Sequence, residues 1–487
     1  MKSPGLRTKN IIFYVSFSLL LFVVAYYIAI LNNLSLWGDE LYRLSQMSLK
    51  FQDLIQPNSF NDPNYPTQII LFKLASIIFQ SNDPQILVLV NLINVGLIFL
   101  GIFLIRGILN KDVLILFISL LFSSEFFIRM FFEINTYGFI LGFSSLFSCL
   151  VFKAYFIERS SFFTKQEKRK NFIGVLVSGS LLATIHPISG LFVCSVFFML
   201  FLLSPLRERK LLSSLGFFFP ICFLYFYGTT QSESHHLELN FKHILNTGAF
   251  IVPVLLLGIY ALFIASKMKT IKKEVLWLSL PIVLSLIIIF IYSYLVIPMY
   301  QARYFMTLLP LTILVLLSLV ENEGIKRIKL PLIFCCLLTV LFLYGPRSQI
   351  PYTNYQFLIE KSHTQNCRDI PIFFNKSTLI DTALFTQQKF DAETYVYASH
   401  LYSKEFQRKL LPYDELIRSI DKFPLNKHDC EIIGISGQKE QDVFLEELEK
   451  DLNNSSRFRY LGKKILADKC LKPGCGILWS VKQIPPD

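Results

Sequence analysis

Two adjacent carboxylates, Asp39 and Glu40, stand a few residues beyond the first long apolar run, Ile11 to Leu31, directly after Trp37 and Gly38. Ionisable groups next to a lipid-buried segment are costly and mark function or pairing. A carboxylate within hydrogen-bond reach of a hydroxyl or amine can take its proton. One of this pair therefore suits a general base, and the other could orient an acceptor or share a divalent cation. The plain alternative is capping, since an aspartate N-cap and a first-turn glutamate stabilise a helix by about 1 kcal/mol. Both readings can hold, because a capped acid is also a fixed acid.

Further polar groups recur in the chain. Glu125, Arg129, Glu133 and Tyr137 repeat at every fourth position, which on an α-helix makes one charged face. It is either a self-satisfied ion-pair stripe or a binding face. Arg303 lies between Tyr300 and Tyr304. There it is an interfacial anchor of aromatics and a snorkelling cation, or a permanently charged, bidentate phosphate ligand. His186 precedes Pro187, as a turn residue or a ligand contact. His235 and His236, with Glu233 and Glu238, are either a solvated loop or a metal site. No paired Cys-x-x-Cys and no His-Glu-x-x-His occurs, which removes the zinc-finger and zincin readings.

These residues must be positioned by membrane helices. Of 487 residues, 53% are hydrophobic, 48 are Phe and 17% are charged, whereas soluble domains carry about 25% charged residues. The net charge of +12 resides largely in short loops between apolar runs, which is topogenic charge and not a nucleic-acid surface. About eleven runs approach the ~30 Å needed to span a bilayer. They are Ile11–Leu31, Ile86–Ile105, Val113–Ile128, Tyr137–Ile157, Phe172–Ile185, Ile188–Ser204, Leu211–Tyr227, Thr247–Ser266, Val275–Ile297, Phe305–Val320 and Leu330–Gly345. Phe172–Ile185 is short and needs extension by its flanks or a thinned bilayer. Met1 to Asn10 carries Lys2, Arg7 and Lys9 and shows no cleavage site, so it starts a span from the cytoplasm.

The segment Tyr65–Gln80 is apolar but reaches only roughly 24 Å as a helix. If it does not cross, Arg106, Lys111, Lys153 to Lys170, Arg207 to Lys210, Lys267 to Lys273 and Lys326 to Lys329 all fall in the cytoplasm. Residues 32–85 are then one outer loop with interfacial amphipathic helices. The same parity puts Arg129, His186, the loop with His235, Arg303 and the whole tail on the side of Asp39. Residues 1–346 form the membrane domain and residues 347–487 a small α/β domain. In the tail, Ile370–Phe374, Thr394–Ser399, Cys430–Ile435 and Gly476–Val481 read as strands, and Glu415–Lys422 and Glu440–Leu452 as helices. Cys149, Cys194, Cys222, Cys335 and Cys336 are packing residues within spans. Cys367, Cys430, Cys470 and Cys475 in the tail are either disulfides or reduced thiols.

Several segments resemble the GT-C class of membrane glycosyltransferases that use polyprenyl-phosphate sugars, the relatives of protein O-mannosyltransferase and aminoarabinose transferase. They are Trp37-Gly38-Asp39-Glu40 after the first span, Asn64-Tyr65-Pro66-Thr67-Gln68-Ile69-Ile70-Leu71, Phe132-Glu133-Ile134-Asn135-Thr136-Tyr137, and Ala302-Arg303-Tyr304 before Leu308-Leu309-Pro310. The likeness covers roughly Ile11–Val320. Asn64 stands where the class has histidine, and Asn135 where it often has arginine, so Arg129 could supply that cation. The resemblance implies a GT-C-like polytopic α-helical fold and inverting transfer to a lipid, glycan or protein acceptor. It implies Asp39 as base beside Glu40, and Arg129, Glu133, Tyr137, His186, Arg303 and Tyr304 as ligands of donor phosphate or substrate. Membrane lipids are the remaining partners, no nucleic acid is implied, and a divalent cation is the one cofactor left open. The expected location is the bacterial inner membrane, with the N-terminus cytoplasmic and the tail periplasmic or extracellular. The competing readings are a polytopic transporter or flippase, and a non-catalytic subunit of envelope-polysaccharide assembly.

Overall fold

The computed structural model describes residues 4–31, 51–52, 67–80, 90–124, 126–131, 136–159, 164–203, 207–227, 252–267, 273–295, 302–320, 322–344, 372–375, 410–412, 431–437, 446, 449–450, 458–465 and 476–483. The helices are α1 Pro4–Leu31, α2 Thr67–Phe79, α3 Asn91–Ile105, α4 Lys111–Phe122, α5 Thr136–Arg159, α6 Lys165–Ala183, α7 Pro187–Leu203, α8 Arg207–Tyr227, α9 Val252–Lys267, α10 Lys273–Leu295, α11 Leu309–Leu319 and α12 Asn322–Leu338. Shorter turns of altered pitch are π-helical at Phe126–Met130 and Thr339–Tyr344 and 3-10 at Ala302–Thr307. One compact unit is Met1–Ala29 with Lys50–Gly345 and holds nearly all the described helical residues; a second, Ile30–Leu49 with Pro346–Asp487, carries the strands.

Every apolar run expected to span contains a helix. Phe172–Ile185 is lengthened by its N-terminal flank, because α6 begins at Lys165 behind a capping box. The Thr164 hydroxyl accepts the Glu167 N–H at 3.2 Å, and the Thr164 N–H donates to Glu167 Oε2 at 2.8 Å. Among the described residues only Thr136–Ile157 is by itself long and apolar enough to cross a bilayer; the other apolar helices are shorter.

Polarity is turned inward on several of these helices. On α3 the buried face is Asn91, Asn94, Ile98, Gly101 and Ile105, while Leu92, Ile93, Phe99, Leu100 and Phe103 are exposed. On α9 the exposed face is Leu255, Leu256, Ile259, Leu262 and Phe263. Apolar stripes of this extent are not left facing water. The helix α2 differs from the amphipathic form expected of the outer loop: Leu74, Ile77 and Ile78 are exposed on the face opposite Ile69, Phe72 and Ala75. Its 13 residues give about 20 Å, too short to cross alone.

Within the helical unit, α3 and α5 run parallel at close range. A Cβ on Gly142 would lie 2.7 Å from Asn94 Cβ, one on Gly138 2.7 Å from Asn91 Oδ1, and one on Gly101 3.1 Å from Cys149 Sγ. Small residues permit such approach between membrane helices. The pairs α5/α6 and α7/α8 are antiparallel: Asn171 Nδ2 donates to Leu150 O, and Cys194 Sγ to Phe217 O. Lys329 Nζ of α12 donates to Asp112 of α4 at 2.8 Å and lies 5.0 Å from the Phe13 ring of α1, tying three helices at the end of α4 remote from its π-turn.

The second unit holds a five-stranded sheet in the order β2-β1-β3-β5-β4, with β1 Ile372–Asn375, β2 Leu410–Pro412, β3 Glu431–Gly437, β4 Phe458–Ile465 and β5 Gly476–Gln483. The strands β2, β1 and β3 are parallel and the β3–β5 and β5–β4 pairs antiparallel. The expected strands at Ile370–Phe374, Cys430–Ile435 and Gly476–Val481 coincide with β1, β3 and β5. The reading missed β2 and β4, the two edges, where Pro412 and Lys463-Lys464 obscure the strand pattern. Glu446, Glu449 and Lys450 are helical. The segments Thr394–Ser399 and Glu415–Lys422, and Cys367, Cys430, Cys470 and Cys475, lie outside the described residues.

Gly142→Val should lower the unfolding midpoint in detergent by the equivalent of about 1–3 kcal/mol through overpacking. Gly96→Ala, on the open face of α3 with nothing within 4 Å, should be neutral or stabilising. The Thr164 backbone N–H, and then its hydroxyl, hold the Glu167 carboxyl below its ordinary value. A lowered folded value gives stability that is present above the unfolded value and is lost as pH falls through the folded one. Hydrogen exchange at the start of α6, corrected for its intrinsic pH dependence, should therefore rise on acidification through the carboxylate range. In Glu167→Ala it should be high already at neutral pH.

Candidate functional site

The charged ladder is not one α-helical face. The helix α4 ends at Phe122 and α5 begins at Thr136, with a π-helical turn between them. Two serines make the break. Ser123 Oγ and Ser124 Oγ donate to Leu120 O and Leu121 O, and the Phe127 N–H is drawn to Ser124. Such side-chain bonds compete with the helical ladder. The rings of Phe122 and Phe127 then stack at 4.3 Å and those of Phe127 and Phe131 at 4.6 Å, a five-residue step followed by a four-residue one. The five-residue step matches the π pitch. Arg129 therefore lies in the π-turn and Tyr137 in the first turn of α5, on separate elements.

The end of the π-turn lies close to the start of α5, where a Cβ on Gly138 would meet the Phe131 carbonyl oxygen. Tyr137 beside it is buried. Asn91 and Asn94 of α3 face this start of α5, and Asn94 Nδ2 donates to Asn91 Oδ1 at 3.1 Å. Asn94 Oδ1 and both amide atoms of Gln68 are buried without a hydrogen-bond partner among the described residues. A buried orphan of this kind costs about 1–3 kcal/mol.

His186 is buried and forms the N-cap of α7. Its Nδ1 accepts the Ile188 N–H at 3.2 Å, and its carbonyl accepts the Gly190 N–H at 3.0 Å. Pro187 fills the first helical position, where its missing N–H costs nothing. With Nδ1 accepting, the proton of a neutral ring is on Nε2. The turn reading of His186 thus accounts for its Nδ1.

The 3-10 helix Ala302–Thr307, whose backbone includes Arg303 and Tyr304, packs against α5 and α7 and leads into α11. Ser189 Oγ and Thr307 Oγ1 are 3.0 Å apart, so the His186 turn and the 3-10 helix are hydrogen-bonded to each other. The structure thereby brings together the backbone of Arg129, Tyr137, His186, Arg303 and Tyr304 on mutually packed elements. Asp39, Glu40 and Glu133 lie outside the described residues, as do Glu125, Glu233, His235, His236 and Glu238. Sequence reasoning missed Ser189, Thr307, Asn91 and Asn94. Two asparagines three apart in an apolar run were a readable signal; two hydroxyls 118 positions apart were not.

The fold is GT-C-like. The solved structures that share it include ArnT from Cupriavidus metallidurans. Its apo-state crystal structure matches with a TM-score of 0.55 at 10% identity, over 96% of this chain and 97% of that one. A crystal structure of the same protein bound to undecaprenyl phosphate matches with a TM-score of 0.52 at 10% identity, over 94% and 97%. No family model and no curated sequence matches the chain.

His186→Asn keeps a capping acceptor before Pro187 and should unfold at close to the wild-type temperature, whereas His186→Ala should lose about 1 kcal/mol with the cap. Thermal melts of the two variants check this.

Proposed function

We propose that the chain is an integral-membrane glycosyltransferase that moves a sugar, with inversion, from a polyprenyl-phosphate donor to a lipid, glycan or protein acceptor. The observation that carries the reading is the Ser189–Thr307 bond between the His186 turn and the helix of Arg303. It occurs within a fold shared with ArnT, of which one structure is bound to undecaprenyl phosphate. The order of the GT-C-like segments in the sequence supports the same reading.

In this proposal about eleven helices span the inner membrane of a bacterium, the ~30 Å core being reached with their flanks. The N-terminus is cytoplasmic. Residues 32–85 and residues 347–487 are periplasmic or extracellular, as is the donor's head group. The acceptor oxygen or nitrogen attacks the anomeric carbon from the face opposite the phosphate. Its proton passes to Asp39 as the bond to the phosphate oxygen breaks, and polyprenyl phosphate departs. Glu40 orients the acceptor or shares a divalent cation with Asp39. Arg129 and Arg303 balance the charge left on the phosphate, which needs no proton to depart. The Nε2–H of His186 donates to a phosphate oxygen, while Glu133, Tyr137 and Tyr304 hold donor or acceptor groups.

Asp39→Asn should leave the protein inserted and folded but cut transfer by about 10²-fold or more, the typical contribution of a general base. The assay supplies membranes with radiolabelled polyprenyl-phosphate sugars and follows label into envelope lipid, glycan and protein. Near-normal turnover in that variant would refute the base assignment.

A further inference from the structure

We infer that Ser189 and Thr307 are positioning residues, a buried clasp that holds the His186 turn and the Arg303-bearing helix in one fixed relation for binding a lipid phosphate headgroup. The nature of the ligand rests on the function proposed above; the clasp itself does not.

Both residues are essentially inaccessible, at 0% and 1% exposure. They also differ from most buried hydroxyls of the bundle. Ser119, Ser145, Ser195, Ser285 and Thr339 each donate to a carbonyl one turn back in the chain. The hydrogen bond recorded for Ser189 and Thr307 is the one to each other, across 118 residues. Hydroxyls that bond back to their own helix tie nothing together. A hydroxyl pair whose bond crosses between elements fixes those elements, because parting them orphans both groups away from water.

Its place in the chain gives the clasp its leverage. Ser189 is the third residue of α7, one turn from the capping residue His186. Thr307 ends the 3-10 helix, one turn from Tyr304 and four residues from Arg303. A 3-10 helix has fewer and poorer internal hydrogen bonds than an α-helix, so an external anchor at its last residue sets where the segment lies. The Met306 and Thr307 side chains are buried beside Leu308 and Leu309, so the anchored end is continuous with the core of α11.

A control lies further along α7. Ser285 Oγ of α10 donates to Ser195 Oγ at 3.0 Å, also buried and also between elements. There Ser195 donates to Leu191 O, and the single proton of Ser285 has Pro281 O of its own helix as a second acceptor within reach, so losing the contact orphans neither.

The test uses the full-length chain in lipid nanodiscs and undecaprenyl phosphate as the probe. Ser189→Ala and Thr307→Val should each lower stability, weaken probe binding about tenfold, the scale of one hydrogen bond to a charged group, and raise hydrogen exchange across residues 302–307. Thr307→Ser should restore all three. The double variant S189A/T307V leaves no orphan hydroxyl, so its melting temperature should recover while binding stays weak. Ser285→Ala should leave binding and exchange at wild-type values. Recovery of binding together with stability in the double variant would reduce the pair to packing and overturn the inference. So would unchanged exchange across 302–307 in Thr307→Val. If the wild-type chain does not bind the probe at all, the functional reading falls. The exchange result then decides the clasp alone: raised exchange upholds it and unchanged exchange overturns it.

Discussion

The close parallel approach of α3 and α5 is the constraint on which the helical unit depends. Gly138 and Gly142 let the backbone of α5 come down onto Asn91 and Asn94. This fixes where α5 begins. Three described parts of the candidate site are then placed relative to that beginning: Tyr137 in its first turn, the π-turn before it, and the 3-10 helix of Arg303 against its side. In a bilayer this dependence is stronger than in water. Lipid tails are as apolar as leucine, so helices associate through close packing and internal hydrogen bonds and not by hiding hydrophobic surface.

The same physics explains why amides and hydroxyls line the interior. Asn91, Asn94, Gln68, Ser144, Ser145, Ser189 and Thr307 are all buried, while Phe, Leu and Ile cover the outside of α3, α8 and α9. A polar group pointing outward would find no partner in hydrocarbon. Pointing inward it can bond to a neighbouring element, as Ser189 does.

Most of the helices were legible because apolar runs bounded by basic loops have few other interpretations. The start of α6 was not, since Lys165 to Lys170 reads as a cytoplasmic loop until the capping box of Thr164 and Glu167 is noticed. The segment Tyr65–Gln80 was read as apolar but too short to cross, and α2 within it is short and exposes Leu74, Ile77 and Ile78. The edge strands β2 and β4 were hidden by the residues that protect edges. At the site, the residue types were legible but their arrangement was not. A period of four in Glu125, Arg129, Glu133 and Tyr137 presupposes a continuous α-helix, and Ser123 with Ser124 ends it.

That interruption bears on what the arginines can do. On an unbroken α-helix, Glu125, Arg129 and Glu133 would fall one turn apart and could neutralise one another, the stripe that stabilises many exposed helices. The π-turn removes that register. Arg303 is in a comparable setting, on a 3-10 turn immediately before α11 as Arg129 is on a π-turn before α5, and α11 packs on α5. Both arginine positions thus lie in short segments of non-α pitch that lead into packed neighbouring helices. Such segments recur at functional sites, because their backbone direction is set by tertiary contacts and not by the helical ladder. A cation on a regular helix points where the helix dictates. The backbone of such a turn runs where its anchors dictate, and here those anchors are Ser124 at the π-turn and Thr307 at the 3-10 helix.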